Sequence, residues 1–332
     1  MPVKLYRKLE PIGRPLALAI GNFDGVHRGH QALLRATGLA ARMFRLTPAA
    51  MSFHPLPREF FAPADAPPRL MSTPEKMAAI HRQGIQHIFL PRFDRAFADQ
   101  SAAAFIDTLK AMQVQYLVVG GDFHFGARRS GNIETLRAAT TPDFQVECIH
   151  EVADEVGQPG VARVSSTAIR AALADGDLPH AAAMLGGHYR IVGRVLHGRK
   201  LGRTLGFPTA NVALSRRKPP LSGVFAVRCN LVTRGLEGVA GGVQSGNGST
   251  LFGVANLGTN PVVSSENRPH LEVFLFDFDG DLYGQRIAVE FIEKIRDERN
   301  FAGLDALTVQ MHDDANRARA ILARMKNGHQ DD

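Results

Sequence analysis

The 332-residue sequence predicts a two-domain fold: an α/β domain on a parallel sheet over residues 1–186, then an antiparallel β-barrel with a C-terminal helix over 187–332. Three observations predict it. Short apolar runs alternate with helix-forming stretches through the first half, β-rich segments follow one another without intervening helices after residue 188, and Leu304 to Met325 repeats apolar residues at helical spacing. Parallel neighbours need a crossover, usually a helix, whereas consecutive strands pair through hairpins. A chain of this length also exceeds one usual domain and can bury two cores.

In the first half the order is Leu16–Ile20, His30–Ala41, Ala49–Phe53, Pro74–Gln83, Ile85–Pro91, Ser101–Met112 and Tyr116–Gly120. Ile88-Phe89-Leu90 and Leu117-Val118-Val119 each follow a helical stretch and end at Pro or Gly, as strands buried on both faces do. Ligands of such sheets gather at the carboxyl ends of the strands. Ser166 to Ala183 reads as a helical bridge broken at Asp175-Gly176-Asp177. Tyr189–Leu196, Gly223–Val232, Thr250–Leu257, His270–Asp277 and Gln285–Ile292 are the barrel strands, and Gly235–Gly248 reads as a long hairpin loop.

Lys and Arg number 39 against 32 Asp and Glu, and the net charge of +7 suits anionic partners. No apolar run reaches membrane-spanning length and Lys4, Arg7, Lys8 and Glu10 interrupt the N-terminus, so a soluble, cytoplasmic protein is expected. Cys148 and Cys229 are too few for a disulfide framework or a zinc site, which fits a reducing compartment. A basic nucleic-acid binder would share the charge, but an aromatic-rich basic strand is missing and tyrosines number 4.

Gly21-Asn22-Phe23-Asp24-Gly25-Val26-His27-Arg28-Gly29-His30 follows the first apolar strand directly. Two imidazoles three residues apart at a helix start lie where free backbone N–H groups and the helix dipole favour phosphate, and the glycines let backbone approach it. Ser165-Ser166-Thr167-Ala168-Ile169-Arg170 places hydroxyls at a second helix start with a cation one turn in, again suited to phosphate. Further on, Gly193, Gly198, Gly202 and Gly206 alternate with Arg194, Arg199, Lys200 and Arg203 and close on Phe207-Pro208-Thr209-Ala210-Asn211. Thr209 and Asn211, two apart on an extended segment, share a face and offer hard oxygens to Mg²⁺. No Gly-Lys-Ser/Thr ending is present, so this is not a P-loop.

Residues 16–34, Phe53-His54-Pro55-Leu56-Pro57-Arg58-Glu59-Phe60, Val118–Gly131 and Ser165–Arg170 resemble the FMN adenylyltransferase module of bacterial bifunctional riboflavin kinase/FMN adenylyltransferases, a Rossmann-like nucleotidylyltransferase domain. The resemblance implies that His27 and His30 hold ATP phosphates, helped by Ser165, Thr167 and Arg170, with His27, His30 and Arg170 neutralising charge as pyrophosphate leaves. Gly21, Phe23, Asp24, Gly25 and Asp122 would line the same nucleotide pocket, and Phe53, Pro55, Pro57 and Phe60 the flavin side.

Residues 189–320 resemble the riboflavin kinase barrel of that family, through Gly206–Asn211, Gly253–Gly258, Leu271–Gly284 and Ile295–Glu298. This implies that Glu272 is the catalytic base for the riboflavin 5′-hydroxyl. Gly198, Gly202, Gly206, Thr209 and Asn211 would take ATP and Mg²⁺, Thr209 and Asn211 as the metal ligands, and Asn256 and Arg296 would take the flavin. Asp277-x-Asp279-Gly280-Asp281 has its glycine out of place for an EF-hand and reads as an Asp-Gly hairpin turn.

The implied partners are riboflavin, FMN and ATP with Mg²⁺, and neither nucleic acid nor membrane; self-association into a homo-oligomer is left open. His124 and Asn132 depart from the family pattern in the first half, and Asn260, Val262 and Phe274 in the second. The three in the second half define the alternative reading, an FAD synthetase whose barrel only binds flavin.

Overall fold

The structure is a computed structural model and describes residues 3–150, 152–153, 163–197, 207–216, 218–232, 250–258 and 269–327. Gly198, Gly202, Gly206, the Gly235–Gly248 loop, Asn260 and Val262 lie outside the described residues.

A six-stranded parallel sheet organises the first half, with spatial order β1-β4-β3-β2-β5-β6. The strands are β1 (Lys4–Tyr6), β2 (Leu16–Ile20), β3 (Thr47–Met51), β4 (His87–Phe89), β5 (Val114–Gly120) and β6 (Gln145–Ile149). Helices α1 (Arg28–Met43), α2 (Pro57–Phe61), α3 (Thr73–Arg82), α4 (Arg95–Ala98), α5 (Ala102–Ala111) and α6 (Ile133–Ala138) connect them. Every residue of β2 is buried. Leu16, Leu18 and Ile20 join the large core with Phe105, Leu109 and Leu117, while Ala17 packs with Ala40 and Ala41 of α1, where only a small side chain fits between helix and sheet. From β2 the chain builds outward through β3 and β4, then returns to the other side of β2 for β5 and β6. The carboxyl end of β2 is therefore the switch point of the sheet, the place where such sheets open a crevice.

In the second half, α7 (Ser166–Asp175) and α8 (Leu178–Leu185) precede β7 (Arg190–Leu196), β8 (Thr209–Val212), β9 (Gly223–Val232), β10 (Leu251–Gly258), β11 (His270–Leu275), β12 (Arg286–Arg296) and the long helix α9 (Leu304–Asn327). The strands close into an antiparallel barrel in the order β10-β11-β8-β7-β12-β9. Leu271, Val273 and Leu275 of β11 are buried on one face; Phe274 on the other joins a cluster with Val224 of β9 and with Ala315, Ala318 and Leu322 of the apolar stripe of α9. Gly193 and Gly253 lie where an added Cβ would meet the carbonyls of Ala213 and Phe274, so these two close strand crossings need glycine.

Two findings differ from expectation. The Asp277–Asp281 segment does not turn between paired strands: β11 pairs with β10 and β8, and β12 with β7 and β9, because barrel closure inserts β8 and β7 between them. The chain also divides into compact units of 1–67 with 73–165 and 68–72 with 166–332, so that α7 and α8 group with the barrel rather than before the expected 186/187 boundary. Within the second unit, Leu70 accepts hydrogen bonds from Tyr189 Oη at 3.1 Å and Arg216 Nη1 at 3.0 Å, which accounts for the grouping of the short segment 68–72.

Candidate active sites

In the first unit the glycine loop leaves β2 and enters α1 with His27 as N-cap. Phe23 and Val26 adopt positive φ, 46° and 42°, unusual for these side chains, and Phe23 and Asp24 are almost wholly buried. The loop is thus a built structure and not a pliant turn. The His30 backbone N–H donates to His27 Nδ1 at 3.3 Å, which makes Nδ1 the acceptor and leaves Nε2 to carry the proton of a neutral His27. The two rings stack at 3.8 Å between centroids, with Phe23 edge-on to His30 at 5.2 Å. His30 Nδ1 is buried with no hydrogen-bond partner among the described residues. Burial first, then the nearby charges of His27 and Lys76, hold the His30 pKa well below its ordinary value. A stacked imidazole pair at a helix N-terminus, with His30 Nδ1 unpartnered among the described residues, is suited to donating hydrogen bonds to an anion.

Lys76 was not foreseen. Its ammonium, on a residue 6 % exposed, donates to the Asn22 carbonyl at 2.7 Å and to Ser52 Oγ at 3.1 Å. Ser52 Oγ in turn donates to the same carbonyl at 3.0 Å, and Gly21 N–H donates to Met51 O at 3.1 Å. These bonds tie the glycine loop to the end of β3, where the expected flavin-side segment begins. That segment forms an aromatic group: Phe53 lies edge-on to Phe93 and Phe97, and Phe60 to Phe93. The His54–Pro55 peptide is cis, Pro57 opens α2, and Glu59 Oε2 accepts the Leu56 N–H at 2.8 Å. Phe93 and Phe97 were likewise missed, since Phe93 precedes α4 outside any regular element and α4 is a single turn with little signal of its own.

Asp122, just beyond β5, is largely exposed and pairs with Arg163 at 3.5 Å, with His124 Nδ1 2.9 Å from its carbonyl. Ser165 closes the first unit. Thr167 and Arg170 belong to the second, in the first two turns of α7, where Arg170 Nε donates to the Pro68 carbonyl at 2.6 Å.

The barrel aligns the second set by strand register. Glu272 on β11 stands directly opposite Asn211 of β8 on one side and Asn256 of β10 on the other. Asn256 continues the row to Val224 of β9, and Val224 to Arg296 of β12. Directly paired residues share a face, so Asn211, Glu272 and Asn256 present their side chains together, with Thr209 opposite Phe274 one step along. Asn256 Oδ1 is buried and has no partner among the described residues.

Arg296 lies in the row, but its guanidinium is engaged elsewhere. Nε and Nη2 grip Asp314 of α9 at 3.0 and 2.7 Å, Nη1 donates to the Asp297 carbonyl at 2.9 Å, and the group lies over Phe301. With Asp314 only 3 % exposed, this fork-to-fork pair joins the last strand to the last helix.

Comparison with known proteins agrees with both halves. The FAD synthetase family model matches residues 10–168 and the riboflavin kinase family model residues 185–322. Proteins described as bifunctional riboflavin kinase/FMN adenylyltransferase are similar over nearly the whole chain. That of Pseudomonas fluorescens is 41 % identical, covering 97 % of each chain, that of Escherichia coli K12 42 % identical, covering 93 % of each, and that of Bacillus subtilis 34 % identical, covering 93 % of each. A crystal structure described as a macrolide-efflux protein from Streptococcus pneumoniae superposes with a TM-score of 0.76 at 29 % identity, covering 96 % of this chain and 99 % of that one. Among the described residues no helix is long and apolar enough to cross a membrane. With an imidazole pair at the switch point of a parallel sheet, a Glu272-centred polar row on a closed barrel, and this likeness over almost the full length, the chain belongs to the family of bifunctional riboflavin kinase/FMN adenylyltransferases.

Proposed function

We propose that the two activities run in sequence and that the residues foreseen in each unit carry them. The protein phosphorylates riboflavin to FMN and adenylylates FMN to FAD. The carrying observation is that in each unit a buried polar atom of an expected ligand residue, His30 Nδ1 and Asn256 Oδ1, lacks a partner among the described residues. Buried polar groups are otherwise nearly always paired, so an orphan in a lined site marks where ligand belongs.

On the barrel, Glu272 takes the proton of the riboflavin 5′-hydroxyl as its oxygen bonds to the γ-phosphorus of ATP and the bond to ADP breaks. Asn256 orients the flavin chain next to that carboxylate. Thr209 and Asn211 offer a hydroxyl and a carboxamide oxygen beside Glu272, a hard donor set that fits Mg²⁺. Among the described residues no group of three or more His, Cys, Asp and Glu is placed to hold a metal. Two protein oxygens leave the rest of an octahedral shell to phosphate and water oxygens. When bound, Mg²⁺ neutralises charge on the ATP phosphates.

In the first unit an FMN phosphate oxygen bonds to the ATP α-phosphorus and pyrophosphate leaves, with no protein nucleophile. His27 and His30 donate to the triphosphate and stabilise the charge that develops on the leaving group, while the phenylalanine group receives the isoalloxazine ring. Incubation with riboflavin, ATP and Mg²⁺, with flavins separated over time, tests the sequence: FMN should rise first and then convert to FAD. Failure of the intact protein to phosphorylate riboflavin would instead favour the FAD-synthetase-only reading.

A further inference from the structure

We infer that Lys76 is a positioning residue for adenylyl transfer: by joining the Asn22 carbonyl to Ser52 it holds the glycine loop in the form that presents His27 and His30. This rests on the reading of the two histidines as triphosphate ligands.

An ammonium on a residue only 6 % exposed is costly unless hydrogen bonds satisfy it, and here two of its acceptors lie just beyond the ends of two adjacent strands. The Asn22 carbonyl lies one residue before Phe23 and Ser52 one residue after β3, so the contact acts where strand geometry ends and the loop must be held by something else. The loop pays for left-handed Phe23 and Val26 only if its neighbours over-determine it. Lys76 and Ser52 supply that constraint, because the carbonyl that both bind sets the orientation of the peptide entering Phe23. Phe23 packs on His30 and His30 N–H binds His27, so a rotated Asn22–Phe23 peptide displaces both rings together. The lysine acts through the loop and need not touch ATP. A donor as well as shape matters, since an apolar side chain of equal length leaves the Asn22 carbonyl with a single donor of the two.

The test uses the full chain. Lys76→Met keeps the length and removes the donors; kcat/KM for ATP in FAD formation from added FMN should fall about ten- to a hundredfold, mostly in kcat. KM for FMN and the rate of riboflavin phosphorylation should stay within about twofold. Lys76→Arg, which restores charge and donors, should recover activity to at least about tenfold above Lys76→Met. Wild-type FAD formation in a folded Lys76→Met protein, or a Lys76→Arg protein no better than Lys76→Met, overturns the inference. Should Lys76→Met not fold, Ser52→Ala decides: a loss of about three- to tenfold with the same sparing of FMN KM supports it, and wild-type behaviour overturns it. His30→Ala runs in parallel. If it leaves FAD formation intact, the site assignment itself fails; if it does not while the Lys76 variants are silent, only the lysine inference fails.

Discussion

Glu272→Gln separates chemistry from stability on the barrel. The residue stands between Asn211 and Asn256 in direct cross-strand register, and Asn256 Oδ1 has no partner among the described residues. Opposed side chains on neighbouring strands start about 5 Å apart at Cβ, so the introduced carboxamide N–H can reach that oxygen, where the carboxylate has no proton to give. Satisfying a buried acceptor contributes about 1 kcal/mol, so the variant should be as stable as the wild type or more so, by up to a few degrees in Tm. Activity goes the other way. A positioned general base contributes about 10²–10⁴ in rate, about 3–5 kcal/mol of barrier, because the attacking alcohol must lose its proton as the phosphoryl group arrives. The assay is FMN formation from riboflavin and ATP at saturating Mg²⁺, with Tm read on the same preparation and FAD formation from added FMN as control. A Glu272→Gln protein that phosphorylates riboflavin within about fivefold of wild type removes Glu272 as the base. One that loses activity together with several degrees of Tm shows that the carboxylate is structural, contrary to the register argument.

His30→Ala should lower kcat/KM for FAD formation by about 10²–10³ while FMN still accumulates from riboflavin, since the imidazoles lie in the first unit and Glu272 in the second. Equal loss of both products in a folded protein would refute the assignment of two separate sites. Stability should fall as pH is lowered through and below 6.5: His30 has its folded pKa depressed from that value, so the unfolded chain binds the extra proton and the native state loses ground. Urea titrations between pH 7.5 and 5 read this, and an unchanged pH slope in His30→Gln would exclude His30 as the cause. Asp314→Ala leaves the Arg296 guanidinium facing a nearly buried gap and should cost about 3–5 kcal/mol in denaturant unfolding, far more than an exposed ion pair. A loss under about 1 kcal/mol would mean the pair is solvent-screened.

Much of the fold was legible because it rests on local periodicity. Alternating apolar runs and helices could only close as a parallel sheet, and consecutive strands without helices only as an antiparallel assembly. The short edge strand Lys4–Tyr6 and the strand Gln145–Ile149 escaped notice, as three to five mixed residues carry no period and become strands through their neighbours' hydrogen bonds. The Asp-Gly signal at Asp279-Gly280 marked a turn, while barrel closure decided that its flanking strands do not pair.

By itself, the sequence determined the chemistry of the candidate sites: two histidines at a helix start, a hydroxyl and a carboxamide on an extended segment, and a carboxylate on a strand. Residue types and short spacings carry that information, since a helix turn or a strand face is set within a few residues. Tertiary structure alone decided which distant residues meet. Lys76 begins as one cation in the Thr73-Pro74-Glu75-Lys76 helix start, and only the crossover of α3 against the ends of β2 and β3 brings it to Asn22 and Ser52. Arg296 shows the same: register brings it into the Glu272 row, while the packing of α9 adds an ion pair with Asp314 that no local pattern announces. Both outcomes depend on contacts between residues far apart in the chain, which no local pattern encodes.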